Sequence, residues 1–375
     1  MKVALVHDWL TGMRGGENVL EVFCEIFPEA DIFTLLHVKG SLSQSIESHR
    51  IFTSFLQNFP AVEKKYRWFL PLMPKAIESH KLEGYDLVLS SSHCVAKGIK
   101  SGGAPHLCYC FTPMRYAWDM YPQYFNRQRF SAPVLAAIGA VMPYLRRWDQ
   151  RTANRVDKFV GISHHVADRI KRHYNRDADV VYPPVDVDFY TTAENPVKRE
   201  GYLVVSAFAP YKRVDLAIEA FNRLGKPLHI AGGGEDDKRL RAIAGPAITF
   251  ESGASRERLR ELYQGTLALI YPGEEDFGII PVEANACGTP VMAYASGGAL
   301  ETLVSFEAPE GRQPTGVFFK DQTAESLCGA VERFEANLGR FRDSDAIRAN
   351  TLRFSREVFK SNVEKMVEKF LKEKT

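Results

Sequence analysis

Two glutamates, Glu275 and Glu283, are separated by seven residues in PGEEDFGIIPVEANACGTPV (272–291), where an apolar run gives way to a helical pattern. LALIYP (267–272) reads as a strand. Pro281 suits the first turn of the helix that follows, because its missing N–H is one the helix does not need. Gly278 lets the backbone turn sharply and approach a ligand closely. The amides of Gly278, Ile279 and Ile280 would then face an anion at the positive end of the helix dipole. With Glu275 on the loop and Glu283 in the first turn, both could accept hydrogen bonds from one polyhydroxylated ligand. Either glutamate alone is also explained as a complement to the dipole.

SAFAPYKRVDLAIEAF (206–221) supplies a second device. A strand ends, the chain turns, and Lys212 and Arg213 stand at a helix entry, where cations are disfavoured unless an anion is bound. Solvated surface cations are the alternative. Two phosphate-suited turns at the carboxyl ends of strands in one unit predict a nucleoside diphosphate as common ligand.

The elements around these turns alternate along the whole chain. Apolar runs at 3–7, 31–36, 86–90, 106–111, 157–162 and 179–183 read as buried parallel strands, as do 202–207, 228–233, 248–252, 267–272, 290–295 and 315–319. Helical patterns such as 214–224 and 256–264 fall between them. Two such series predict an α/β protein of two Rossmann-like, doubly wound domains. The proline-rich stretch 182–201 is the expected seam, giving domains at 1–190 and 191–354. A basic amphipathic helix at 355–375 either packs back on the first domain or lies on a surface.

Bulk properties narrow the class. A chain of 375 residues is too long for one ordinary core. With 45% hydrophobic and 25% charged residues it reads as globular, and a net charge of +2 carries no nucleic-acid footprint. Cys24, Cys94, Cys108, Cys110, Cys287 and Cys328 form no Cys-x-x-Cys pair, and Asp8 interrupts any leader-like core, so reduced thiols and a cytoplasmic location are expected. The longest apolar run, SAPVLAAIGAVMPYL, is shorter than the ~18–20 residues of a membrane crossing.

In combination, EEDFGIIPVE, ANACGTPV, SGGALET and PYKRVD resemble the donor domain of retaining nucleotide-sugar glycosyltransferases of the GT-B fold, glycosyltransferase family 4. HDWLTGMRGGENVLE, SSSHCVAKGIK, YCFTPMRYAWDM and YPPVD extend the resemblance over nearly the whole chain. Within the family it is most similar to bacterial polysaccharide and O-antigen mannosyltransferases. The resemblance implies two domains facing across a cleft, with the donor on the C-terminal domain and the acceptor on the N-terminal one. It implies that Glu275 binds hydroxyls of the transferred sugar and Glu283 those of ribose. Lys212, with Arg213, neutralises the leaving diphosphate, and the amides at Gly278, Ile279 and Ile280 solvate sugar and phosphate. Gly15 and Gly16 bring bare backbone to the phosphates, and His93 contacts sugar or acceptor. The implied donor is GDP-mannose, with UDP-sugars second. The implied acceptor is a glycan or lipid-linked saccharide of cell-surface polysaccharide synthesis. Neither a metal nor another cofactor is expected.

Two positions depart from the family pattern: Ala207 stands where an Arg is common, and Phe111 where a His is common. These departures keep a non-catalytic sugar-nucleotide sensor as an alternative. Weaker signals are read as structural. Asp186-Val187-Asp188 lies in the linker, and His164-His165 lacks companions at metal-ligand spacing. GMRGGE does not reproduce G-x-G-x-x-G. The stretch KKYRWFLPLMPK (64–75) is read either as ordinary helix packing or as a peripheral membrane contact.

Overall fold

The computed structural model describes residues 1–127, 129–195, 197–308 and 311–374. Pro196 of the expected seam, Thr375 of the expected terminal helix, and Gln128, Pro309 and Glu310 of the expected domains lie outside them. The chain divides into a unit of Met1–Pro184 with Phe359–Thr375, and a second unit of Val185–Val358.

The first unit holds β1 (Val3–His7), β2 (Asp31–Thr34), β3 (Arg50–Thr53), β4 (Leu87–Ser92), β5 (His106–Cys110), β6 (Lys158–Gly161) and β7 (Ala178–Val180). They form one parallel sheet in the order β3-β2-β1-β4-β5-β6-β7. The second unit holds β8 (Tyr202–Ala207), β9 (Leu228–Gly233), β10 (Ile248–Glu251), β11 (Ala268–Tyr271), β12 (Val291–Tyr294) and β13 (Gly316–Phe319), ordered β10-β9-β8-β11-β12-β13. Its pairs are also parallel. In each unit the winding reverses beside the first strand, between β1 and β4 and between β8 and β11. Ligands of doubly wound sheets bind at the carboxyl ends of the strands at this reversal.

Every strand expected from an apolar run is present, shortened by up to two residues at an end in most cases. β3 was not expected, because its sequence RIFT leaves an edge strand mostly exposed and offers no buried run. Phe52 stacking on Phe33 at 4.9 Å and the Arg50–Asp31 ion pair at 3.3 Å fasten it. β7 ends at Val180, ahead of Pro183 and Pro184, which lack the N–H a ladder needs. The helix Arg356–Lys372 buries Phe359, Val363, Met366, Val367 and Phe370. Phe359 lies 5.9 Å from Phe23 and 5.7 Å from Tyr109, so the end of the chain completes the first unit's core.

Candidate functional site

In the second unit, the turns leaving β8 and β11 lie side by side. β8 runs into a short 3₁₀ turn, Pro210–Lys212, and Arg213 takes a left-handed conformation (φ +54°) to start the helix Val214–Leu224. Gly273, just past β11, packs so closely that a Cβ there would lie 3.0 Å from the Lys212 carbonyl oxygen. This approach brings Lys212 Nζ onto Glu275 Oε1 as a half-buried ion pair. Arg213 points elsewhere. Its Nε donates to Asp215 Oδ1 at 3.3 Å and its Nη1 to Gln322 Oε1 at 3.0 Å, while Gln322 donates to the Pro272 carbonyl at 2.9 Å.

Gly278, at φ +94°, begins the helix Ile279–Ala286, and no side chain caps that end. Pro281 has no N–H, so the amides of Ile279 and Ile280 are the first-turn donors at this helix start. The SGG segment lies directly over this loop: the Gly298 amide donates to the Glu275 carbonyl at 2.8 Å, and a Cβ on Gly298 would meet the Phe277 Cα at 2.3 Å. Ser296 Oγ also donates to Glu274 Oε2 at 2.9 Å.

Glu283 is not in the first turn, which carries no acidic residue. The helix starts at Ile279, so Glu283 lies one turn further in, where dipole complementation weakens. It accepts a 2.9 Å hydrogen bond from the hydroxyl of buried Tyr263, on the helix Arg256–Gly265. Burial pushes its carboxyl up to about 7, against the opposing pull of the Tyr263 hydrogen bond and the Arg256 charge. Asp186, from the linker Asp-x-Asp, pairs with Arg256 at 2.6 Å. It therefore serves a structural contact.

The first unit has a corresponding centre at its own winding reversal. Asp8 follows β1 and is fully buried. Its Oδ2 accepts from the amides of His93 and Cys94 at 2.7 and 3.0 Å, and its Oδ1 from those of Val95 and Ala96 at 2.6 and 2.7 Å. His93, the first residue past β4, places Nδ1 at 3.1 Å from Asp8 Oδ2 and keeps about a third of its side chain exposed (32%). Burial would raise the Asp8 carboxyl, but the charge and hydrogen bonds of His93 outweigh it and hold it at about 2. Trp9 meets the His93 ring edge-on at 4.6 Å.

Phe111 lies 6.2 Å from both the His93 and His7 rings. His7 is buried against Ser91 Oγ at 2.7 Å, with Glu17 at 3.9 Å. Gly15 and Gly16 are the first two residues of the helix Gly15–Ile26, whose start has no side-chain cap. A Cβ on Gly16 would sit 3.4 Å from His7 and Phe111. Asp8, His7, Glu17, Tyr263 and Gln322 were not singled out as site residues from the sequence. The available signal was HDW directly after an apolar strand, but Asp8 reads there simply as the end of that run. Among the described residues, no three His, Cys, Asp or Glu side chains gather in a metal-ligand set.

Residues 15–189 match the family model Glycosyltransferase Family 4, and residues 192–350 match Glycosyl transferases group 1. A D-inositol 3-phosphate glycosyltransferase of Mycobacteroides abscessus is 29% identical over 174 residues, 40% of this chain and 39% of that protein. The chain thus spans about two fifths of the length of such curated relatives. The crystal structure of HepE from Anabaena in complex with UDP superposes with a TM-score of 0.71 at 16% identity, covering 98% of this chain and 100% of that one. Sucrose-phosphate synthase from Thermosynechococcus elongatus also gives 0.71, at 17% identity and 98% of both chains.

Proposed function

From a chain that belongs, in its two halves, to glycosyltransferase family 4 and the group 1 glycosyl transferases and that has the GT-B fold, we propose a retaining glycosyltransferase acting on a nucleotide-sugar donor. The observation that carries this reading is the Lys212–Glu275 contact beside the uncapped helix start at Gly278. One cation, one carboxylate and the free amides of Ile279 and Ile280 supply what a sugar diphosphate needs. Lys212 takes the charge that develops on the leaving diphosphate, Glu275 accepts from sugar hydroxyls, and the amides solvate phosphate. Glu283 accepts from ribose. In front-side attack the leaving phosphate itself helps remove the acceptor proton, so no side-chain nucleophile is required.

The donor we infer is GDP-mannose and the acceptor a glycan or lipid-linked saccharide, reached by peripheral contact with a membrane. The basic, aromatic segment 64–75 supports that contact: Trp68 is 71% exposed among Lys64, Lys65 and Arg67. A UDP-sugar is the second reading, favoured by the UDP complex of HepE. Thermal shift with a panel of sugar nucleotides decides between them, since a ligand at 100 times its Kd adds about 2.7 kcal/mol. Stabilisation by neither GDP- nor UDP-sugars would overturn the donor reading. Binding with no nucleoside diphosphate released in the presence of glycan acceptors would instead identify a sensor.

A further inference from the structure

We propose that Gln322 and Arg213 are positioning residues: together they clamp the loops that carry Lys212 and Glu275, and neither touches the donor. This rests on the donor reading for what the Lys212–Glu275 pair does, and adds what holds the pair in place.

Arg213 occupies its turn at a conformational cost. Its φ of +54° lies in the left-handed region, which a Cβ disfavours and a glycine enters freely. A residue in such a conformation persists where its surroundings hold it. Here the side chain is held twice: Nε donates to Asp215 Oδ1 at 3.3 Å and Nη1 donates to Gln322 Oε1 at 3.0 Å. Asp215 offsets the guanidinium charge, and these donors are committed to protein acceptors. Lys212 is left as the cation of the turn.

Gln322 supplies the other half. It follows β13, and in the order β8-β11-β12-β13 its side chain reaches past β12 to both loops. Oε1 accepts from Arg213, while Nε2 donates at 2.9 Å to the carbonyl of Pro272, the first residue past β11. One side-chain amide thus joins the residue beside Lys212 to the loop that carries Glu275. The backbone beneath it is pinned. Thr323 caps the helix Ala324–Ala336 by accepting from the Ser326 amide at 3.2 Å, and the Asp321 amide donates to Ser326 Oγ at 3.3 Å. A side chain on a capped helix end is placed more precisely than one on a free loop.

Gly273 permits the two loops to approach, but the absence of a Cβ attracts nothing. The Gln322 amide provides directional bonds that fix the approach. Charge developing on a leaving diphosphate is met best by a cation already in place. A displacement of about 1 Å costs as much as about a hundredfold in rate.

Two measurements on the full chain test the clamp. The first needs no donor: the coupling between Lys212 and Glu275 is read from urea unfolding of Lys212→Met, Glu275→Gln and the double variant. It is then read again with Gln322→Met added to each chain. Groups in contact couple by about two- to 150-fold in the unfolding constant. Gln322→Met keeps the length of the side chain without its hydrogen bonds, and should bring the coupling below about twofold. The second measurement follows release of nucleoside diphosphate from GDP-mannose and from UDP-glucose, with water as acceptor. Gln322→Met should lower kcat by about 10- to 100-fold and change KM by less than about threefold. Thr323→Ala loses the cap but keeps the amide, so it should lower the melting temperature and leave kcat unchanged.

Unchanged coupling or unchanged kcat in Gln322→Met would overturn the clamp. Equal losses of kcat in Thr323→Ala and Gln322→Met would do the same, because loop stability would then explain both. A loss of about tenfold or more in GDP and UDP affinity in Arg213→Gly would make Arg213 a phosphate ligand, also against the proposal. No release by the wild type from either donor would refute the donor reading instead, and the coupling measurement then decides the clamp by itself.

Discussion

Lys212, leaving β8, and Glu275, leaving β11, form an ion pair across the winding reversal of the second sheet. Each group thereby offsets the charge of the other. A sugar diphosphate that draws Lys212 to phosphate and Glu275 to sugar hydroxyls must break this contact. A bare nucleoside diphosphate would break it and leave Glu275 uncompensated. On the proposed donor reading, the pair would therefore favour the complete donor over its product.

Replacing Glu275 with Gln removes that bias. Nucleoside diphosphate should bind Glu275→Gln at least as tightly as the wild type, while discrimination among sugars and the rate of transfer fall. Loss of a charge-assisted hydrogen bond of roughly 1.5–3 kcal/mol corresponds to about 10- to 150-fold. Calorimetry with the nucleotide and with an unreactive donor analogue separates the two effects. Weaker nucleotide binding would place Glu275 on the phosphate side and refute the assignment.

Glu283 makes a different prediction, because its carboxyl is raised to about 7 by burial. Between the ordinary glutamate value and that point, the folded state binds more protons than the unfolded state. Stability therefore falls as pH rises through this window, and the loss is complete above the folded value. Glu283→Gln should lack this slope and be more stable than wild type on the alkaline side, measured by urea denaturation across the window. If Glu283 also holds ribose, the same variant binds both nucleoside diphosphate and donor more weakly. Equal pH slopes in the two proteins would show that another group titrates.

The sheets were readable from the sequence because their strands are short buried runs bounded by turns, as YLVVSA and LHIAGG are. β3 escaped because RIFT is an exposed edge, held by Phe33 and Asp31 of the neighbouring strand rather than by its own pattern. The motif residues Lys212, Glu275 and Gly278 were legible individually through turn and dipole chemistry. Their pairing was not, because it depends on Gly273 letting two loops 63 residues apart touch. Glu283 was placed a turn too early, because helix registry depends on the backbone of Gly278. Tyr263, which fixes the Glu283 carboxyl, lies on a separate helix and leaves no local signal.

The proposed charge neutralisation by Lys212 and the helix amides also predicts transfer that does not require a divalent ion. Activity should survive EDTA and should not rise on addition of Mg²⁺ or Mn²⁺. Loss with EDTA and recovery with either ion would mean that the leaving diphosphate is carried as a metal complex.

Asp8 and His93 give the last test, in the first unit. Asp8 receives four backbone N–H groups from residues 93–96 and contacts the His93 ring, so it fixes both the loop and the imidazole at the winding reversal. Its carboxyl is held at about 2, well below its unfolded value, so the unfolded state binds more protons between the two. The stabilisation is fully present above the unfolded value and is lost as pH falls toward 2, amounting to about 2 kcal/mol. Asp8→Asn keeps the size but turns an NH₂ toward amides that need an acceptor, at roughly 1–3 kcal/mol for each group left unpaired. Denaturation between about pH 2 and pH 5 should show a steep acid limb in the wild type and a shallower one in Asp8→Asn. His93→Gln retains a polar side chain but removes the imidazole that lies 3.1 Å from the carboxylate; it should raise the Asp8 carboxyl and flatten the same limb while the loop stays folded. Identical acid limbs in all three proteins would show that the Asp8–His93 contact does not control this stability.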